Sequence, residues 1–104
     1  WGLCRLLCPD CVDFCHAGRL AEEGDASCVN LLVEDVYGGD YSMPNGATLP
    51  GSLTASFFAK ADGERDDASV LQALVKMICS SICQLAQLNA QRFQVPRVVF
   101  TGNF

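Results

Sequence analysis

Four of the seven cysteines and the only histidine of this chain lie together in CRLLCPDCVDFCH, residues 4–16. Thiolates and imidazole are the ligands that zinc sites and iron–sulfur clusters use. The spacing Cys4-x3-Cys8-x2-Cys11 also occurs in cluster-binding triads. One hypothesis is therefore a metal or iron–sulfur site formed by these three cysteines and His16.

The same cysteines also fit a packing role. Positions 4, 8, 11 and 15 repeat at helical spacing, and Cys79 and Cys83 repeat it elsewhere at i, i+4. Free cysteine behaves as a small hydrophobic residue. An odd number of cysteines cannot pair completely within one chain, which favours a reducing compartment. We therefore favour packed thiols without metal, in a cytoplasmic protein.

Other polar motifs give weaker indications. The acidic pairs at 22–23, 34–35 and 66–67 could supply general acids or bases, but solvated helix ends and first-turn partners of helix dipoles are the simpler interpretation. Gly38-Gly39-Asp40 lacks the lysine or third glycine of a phosphate-binding loop. Gly102 follows an apolar run, where a glycine would let the backbone approach a flat ligand such as adenosine. An ordinary turn explains Gly102 equally well.

The composition is that of a globular domain. The chain has 104 residues, of which 50% are hydrophobic and 18% charged, with a net charge of −5. This negative charge would repel a nucleic acid backbone. No window reaches the ~18 uninterrupted apolar residues of a membrane span. Because the chain begins at Trp1 and its last apolar run leads into a glycine loop, we expect a segment of a longer protein.

Periodicity predicts the elements that must position these residues. Helices are expected over residues 2–8, 9–20 and 25–36, followed by a loop over 37–46 and an ambiguous strand or helical turn within 48–61. Apolar residues from Leu71 to Leu88 recur on one face and predict a long amphipathic helix. Pro96 bars its continuation, and residues 97–101 are predicted to form a strand. A helix that leads into a strand indicates an α/β arrangement.

Several stretches, in this order and spacing, resemble the eukaryotic type of pantothenate kinase, which phosphorylates pantothenate at the start of coenzyme A synthesis. They are WGLCRLL (1–7), LLVEDVYGGDY (31–41), LPG (49–51), TAS (54–56), QLAQLNA (84–90) and RVVFTGNF (97–104).

The resemblance implies part of the second domain of the acetate kinase, sugar kinase, Hsp70 and actin-like fold, with residues 1–104 in a homodimer that uses ATP and Mg²⁺. Gly102 and Asn103 match the nucleotide-binding loop, and Thr54 and Ala55 match the pantothenate or acyl pocket. Acyl-coenzyme A is implied as a possible feedback inhibitor. The catalytic residues of the family would lie before Trp1, so no catalytic residue is expected in this chain.

Two stretches depart from the family pattern. Residues 80–83 read Ser-Ser-Ile-Cys where the family has Asn-Asn-Ile-Gly, and residues 56–60 read Ser-Phe-Phe-Ala-Lys where it has Ser-Ser-Phe-Gly-Asn. Replacing a glycine by Cys83 or Ala59 closes space that a ligand or the backbone could use. The alternative function is therefore a non-catalytic pseudokinase or dimerisation module.

Overall fold

The structure, a computed structural model, describes residues 1–102 as helices and short strands. In chain order the elements are α1 (Gly2–Leu7), α2 (Phe14–Glu23), a 3₁₀ turn (Ala26–Cys28), β1 (Leu31–Leu32), α3 (Val33–Tyr37), β2 (Tyr41–Ser42), β3 (Thr48–Leu49), β4 (Thr54–Ser56) and α4 (Asp67–Arg92). The strands form two antiparallel pairs, β1 with β4 and β2 with β3. This mixture of helices and strands is consistent with the predicted α/β class.

The predicted long helix is α4, and its ends follow local chemistry. At its start the Asp66 carboxylate accepts a hydrogen bond from the Ser69 backbone N–H at 2.8 Å. This bond satisfies one of the unpaired donors of the first turn. It also holds the pKa of Asp66 below its usual value. The helix ends at Arg92, before Pro96, as the sequence predicts.

The side chain of Gln72 joins α4 to the end of α2. Its Nε2 donates to the carbonyls of Ala21 at 3.2 Å and Gly24 at 2.6 Å, and its Oε1 accepts from the Ala26 backbone N–H at 2.7 Å. The last carbonyls of a helix have no partner within the helix. Gln72 therefore supplies, from α4, hydrogen bonds that α2 and the following turn cannot make for themselves.

Three of the clustered cysteines pack in the core. Cys4, Cys8 and Cys11 are buried against Ala17 and Ala21 of α2 and against Leu71 and Leu74 of α4. The Cys8 thiol donates to the Asp67 carbonyl at 3.8 Å. Burial, followed by the nearby Asp67, raises the pKa of Cys8 to about 12. Burial also raises the pKa of Cys11, so these thiols stay protonated at neutral pH.

The second helix begins later than predicted, at Phe14 rather than Pro9. The chain turns over residues 9–13, and the Asp13 carboxylate accepts from the His16 backbone N–H at 2.7 Å, which makes Asp13 the N-cap. Cys15 is exposed. The four cysteines therefore do not follow one continuous helix, and only the first three share an apolar environment.

The third predicted helix, over residues 25–36, is divided at Asn30. Asn30 is 1% exposed, and its Oδ1 accepts from the Phe58 backbone N–H at 2.9 Å. The chain then becomes extended as β1, which pairs with β4. The tertiary partner therefore overrides the helical periodicity of this stretch.

The predicted loop over 37–46 contains strand β2, which pairs with β3. The ambiguous stretch 48–61 resolves into the two short strands β3 and β4.

Residues 97–101 do not form the predicted strand. No residue in the described part of the chain forms a strand ladder with this stretch. Val98, Val99 and Phe100 are exposed. A strand requires a neighbouring extended backbone to take its hydrogen bonds, and no strand among residues 1–102 pairs with this stretch.

The two halves of α4 have different surroundings. Leu71 and Leu74 are buried, whereas Ile82, Leu85 and Leu88, on the same predicted stripe, are exposed. By length and composition alone, α4 is apolar enough to cross a membrane. Core helices of water-soluble proteins meet the same criterion, so the absence of a membrane span stays a prediction.

Replacing Gly24 by alanine should destabilise the protein. A Cβ at Gly24 would overlap the carbonyl group of Ala68 and lie 2.6 Å from the backbone nitrogen of Ser69. We expect a loss of about 1–3 kcal/mol in the free energy of unfolding, measured by urea denaturation. The control is Gly18→Ala within α2, where nothing lies within 4 Å of the new Cβ and stability should rise by up to about 1 kcal/mol. Equal stabilities for the two variants would contradict this packing.

Burial of Cys8 should make stability fall at high pH. Its thiol has a pKa of about 12 when folded, against 9.0 for an ordinary cysteine. Above about pH 9 the unfolded chain therefore loses this proton while the folded chain keeps it. The free energy of unfolding should then fall by roughly 1.4 kcal/mol per pH unit from this group, with no effect at neutral pH.

Urea denaturation of Cys8→Ala across the same pH range provides the comparison, because this variant should lack that part of the slope. Cys15→Ala, at an exposed thiol, should keep the slope of the unaltered protein. Parallel pH profiles for Cys8→Ala and the unaltered protein would refute the assignment.

Candidate functional site

A groove of about 470 Å³ lies beside Gly102, between the second half of α4 and the chain that follows it. Gly102 adopts φ = +122°, a conformation that favours glycine. No atom lies within 4 Å of the position that its Cβ would take. The residues that line the groove are Cys79, Ile82, Cys83, Phe100, Thr101 and Gly102.

The groove can hold a flat, largely apolar group. Ile82 and Phe100 provide apolar surface, Thr101 provides a hydroxyl, and Gly102 leaves the backbone accessible. Its volume is within the range of small-molecule sites. The structure therefore places one of the two predicted nucleotide-binding residues, Gly102, in a suitable groove. The other, Asn103, lies outside the described residues.

A second groove, of about 290 Å³, adjoins the first. Cys83 and Phe100 line both grooves, and the second also includes Arg97, which brings a positive charge to this region. The departure from the family at position 83 therefore faces the same space as Gly102. Sequence comparison alone indicated that Cys83 closes some space, and the structure identifies the groove concerned.

The predicted pocket residues Thr54 and Ala55 lie in β4, at a different place. Thr54 is half-buried and pairs with Leu32 of β1, whereas Ala55 is exposed. Neither residue lines the groove at Gly102. Within residues 1–102 the two predicted sites are therefore separate.

The VYGGDY stretch has a structural role that the sequence did not reveal. The Asp40 carboxylate accepts from the Gly51 backbone N–H at 2.6 Å. The rings of Tyr37 and Tyr41 stack with centroids 4.1 Å apart. Gly38 ends α3 at φ = +79°, a left-handed conformation that glycine adopts without strain. Asp40 thus fixes the loop before β4, the strand that carries Thr54 and Ala55.

A second set of contacts fixes the chain after β4. Asn30 holds the backbone of Phe58, which has φ = +58°, and the Val29 carbonyl accepts from the Lys60 backbone N–H at 2.9 Å. The Lys60 ammonium lies 2.6 Å from the Asp35 carboxylate and lowers the pKa of Asp35. The only signal for Asn30 in the sequence was a polar residue within an apolar run.

Most candidate acid–base residues have local structural roles. Asp66 caps α4, Asp67 lies in the first turn of α4, and Glu34 and Asp35 lie in the first turn of α3, as partners of the helix dipole would. Glu22 and Glu23 are instead the last two residues of α2 and are exposed, so this pair is a solvated helix end and not a first-turn dipole partner. Over residues 1–102, no three side chains of the His, Cys, Asp or Glu type gather so that they could hold a metal ion. The burial of Cys4, Cys8 and Cys11 agrees with the packing interpretation of the cysteine cluster.

Several known proteins are similar to the whole chain. It is 39% identical to "Pantothenate kinase 2" of Arabidopsis thaliana, with 100% of the chain and 12% of that protein aligned. It is 39% identical to "Pantothenate kinase 1" of the same plant, with 99% and 28% aligned. It is 37% identical to the mouse "4'-phosphopantetheine phosphatase", with 100% and 13% aligned. The chain thus spans between about an eighth and just over a quarter of these relatives.

The profile of one protein family covers the complete sequence. The Fumble family matches residues 1–104, the same range over which the plant relatives align. The match includes the cysteine-rich start, the loop fixed by Asp40 and the groove at Gly102. The chain therefore belongs to the Fumble family, the pantothenate kinase family.

Proposed function

We propose that this chain is a segment of an ATP-dependent pantothenate kinase and forms part of the second domain of an actin-like fold. In this proposal the complete protein transfers a phosphoryl group from ATP to pantothenate and yields 4'-phosphopantothenate. The observation that carries the proposal is the family match over the entire chain. The odd number of free cysteines supports a cytoplasmic location for the protein.

The groove at Gly102 is the proposed contact with the nucleotide. Its apolar side chains and exposed glycine backbone suit a purine ring, while Thr101 can accept or donate a hydrogen bond. Asn103, next in sequence, completes the proposed nucleotide-binding pair.

The described residues do not by themselves provide phosphoryl-transfer chemistry. Such transfer depends on charge neutralisation by metal ions and on a group that orients the nucleophile. No metal-binding group of three ligands exists within residues 1–102. As the family resemblance implies, we assign Mg²⁺ and the catalytic residues to other parts of a longer protein, and we expect residues 1–104 alone to be inactive.

Thr54 and Ala55 are the proposed contacts with pantothenate or with the acyl group of acyl-coenzyme A, the proposed feedback inhibitor. Hydrogen bonds fix the chain on both sides of their strand. The Asp40 carboxylate accepts from the Gly51 backbone N–H before β4, and Asn30 Oδ1 accepts from the Phe58 backbone N–H after it. The wall of a binding pocket requires a backbone that is fixed in this way. Since Ala55 is exposed, it is available to a ligand or to another subunit.

Exposed apolar surface on α4 is the proposed subunit contact of a homodimer. The accessible surface is 7539 Å². A compact monomer of 11.2 kDa would expose roughly 5,700 Å². The radius of gyration is 16.0 Å, against about 13 Å for a compact chain of this length. Such an excess is expected of a segment that spans 12% to 28% of its relatives, and within it we propose Leu85 and Leu88 of α4 as subunit contacts.

A second candidate function is a non-catalytic member of the same family. Cys83 narrows the groove at Gly102, where the family has glycine, and Ala59 replaces a second glycine beside Phe58. A relative named as a phosphatase matches the chain about as well as the relatives named as kinases. The family match therefore extends to a protein whose name states a different activity.

The protein expressed from the complete reading frame that contains this segment should form ADP from ATP only when pantothenate and Mg²⁺ are both present. A coupled spectrophotometric assay measures this activity. Gly102→Val should raise the KM for ATP at least tenfold, because its side chain would enter the groove and strain the backbone. Gly2→Val, at a position where nothing lies within 4 Å of the new Cβ, is the control. A folded protein without pantothenate-dependent activity would favour the non-catalytic alternative.

Leu85→Asp should weaken the dimer, because it places a charge on the exposed apolar face of α4. Leu85 is 62% exposed in the isolated chain. Analytical ultracentrifugation should show that the complete protein with Leu85→Asp dissociates into monomers at concentrations at least tenfold higher than the unaltered protein does. Gln84→Asp, at the neighbouring exposed position, should dissociate like the unaltered protein. If Leu85→Asp unfolds the protein instead, as seen by circular dichroism, the face belongs to the chain's own core and the contact assignment is wrong.

A further inference from the structure

The connection between β2 and β3 contains an asparagine followed by a glycine. Residues 43–46 form a turn in which the Gly46 backbone N–H donates to the Met43 carbonyl at 3.0 Å. Gly46 has φ = +85°, and the Met43 backbone N–H donates to the Ala47 carbonyl at 2.7 Å. A turn followed by a left-handed glycine is a common three-residue connection of a β-hairpin. Asn45 therefore lies at the exposed tip of this hairpin.

The side chain of Asn45 is held against the backbone that follows it. Its Oδ1 accepts a hydrogen bond from the Ala47 backbone N–H at 3.1 Å. This bond folds the side chain over the intervening peptide group, which brings Cγ of Asn45 toward the Gly46 nitrogen. The same bond would stabilise negative charge that develops on Oδ1. Nothing lies within 4 Å of the position that a Cβ of Gly46 would take, so no side chain shields this nitrogen.

We propose that Asn45 is a site of spontaneous deamidation, which changes the tip of the hairpin and leaves its base closed. The Gly46 nitrogen loses its proton to hydroxide and attacks Cγ of Asn45. A nitrogen–carbon bond forms, and the side-chain amide takes a proton from water and leaves as ammonia. Water then opens the succinimide ring, at the side-chain carbonyl to give isoaspartate or aspartate according to which ring bond to nitrogen breaks. The reactants are the chain itself and water, so this inference does not depend on the proposed function.

The other asparagines among residues 1–102 lack this arrangement. Asn30 is 1% exposed and is followed by a leucine, whose side chain crowds the nitrogen that would attack. Asn89 lies within α4, where the helical pattern engages the next backbone N–H in a hydrogen bond. The bond from Gly46 to Met43 must also open before attack. It belongs to an exposed turn, and such bonds open at a small cost in free energy.

Isoaspartate would alter the tip of the hairpin more than its base. The extra carbon that it inserts into the backbone lengthens the connection, so the bond from the Met43 N–H to the Ala47 carbonyl should be lost. At the base, the Asp40 carboxylate accepts from the Gly51 backbone N–H at 2.6 Å. This contact lies outside the altered turn and should remain. Amide hydrogen exchange should therefore become at least tenfold faster at Met43 and stay unchanged at Gly51.

The experiment uses the complete protein, incubated at mildly alkaline pH and sampled over time by peptide mass spectrometry that separates aspartate from isoaspartate. We expect Asn45 to be converted at least tenfold faster than Asn89 of the same molecule. The rate should rise with pH, because the attacking nitrogen must lose its proton. Isoaspartate at position 45 is diagnostic of the ring, since direct hydrolysis of the side-chain amide gives aspartate alone.

Two variants provide the controls. Asn45→Gln keeps a side-chain amide at the tip but would have to form a larger ring, so its conversion should be at least tenfold slower. Asn89→Gln should leave the conversion of Asn45 at the rate of the unaltered protein. Equal rates at Asn45 and Asn89, or aspartate as the sole product at position 45, would overturn the inference. An Asn45 that persists unchanged in the complete protein would overturn it as well, and faster exchange at Gly51 would overturn its second part.

Discussion

The end of α2 and the start of α4 are joined by the side chain of Gln72, which makes three hydrogen bonds to backbone groups of Ala21, Gly24 and Ala26. A buried backbone group without a partner costs about as much as a lost hydrogen bond. The contact also needs close approach, which Gly24 permits by having no side chain against Ala68. With this contact in place, α2 and α4 enclose the apolar side chains between them, including the three cysteines. The first half of the chain thereby acquires its core.

The cysteines of this chain lie in three different environments. Cys8 is buried and stays protonated, since removing a charge from water is costly. Cys28 is exposed and lies beside the Asp25 carboxylate. Cys83 is exposed in a groove that an arginine adjoins. Chemistry at sulfur depends on access and nearby charge, so the same residue type fills the core at one position and is open to solvent at another.

Side chains in the remaining strands and loops fix the position of the backbone on either side of β4. Asp40 and Asn30 each use one side-chain oxygen to hold a distant backbone N–H, and together they bracket β4. The second half of α4 lacks such partners within residues 1–102, and its apolar side chains face outward. The residues before the second half of α4 therefore form a core of their own, whereas the second half of α4 presents the groove at Gly102 and an apolar face. The proposed nucleotide contact and the proposed dimer depend on these two features.

Local chemistry in the sequence was sufficient to predict α1, α4 and the stop at Gly24, because capping residues, periodicity and glycine act over a few neighbours. The family resemblance indicated Gly102, which the structure places in a groove. Contacts distant in sequence decided the rest. Asn30 divides a helical pattern because Phe58 lies beside it, and residues 97–101 pair with no strand among residues 1–102. Periodicity reports which face is apolar, but only the tertiary structure decides whether another element covers it.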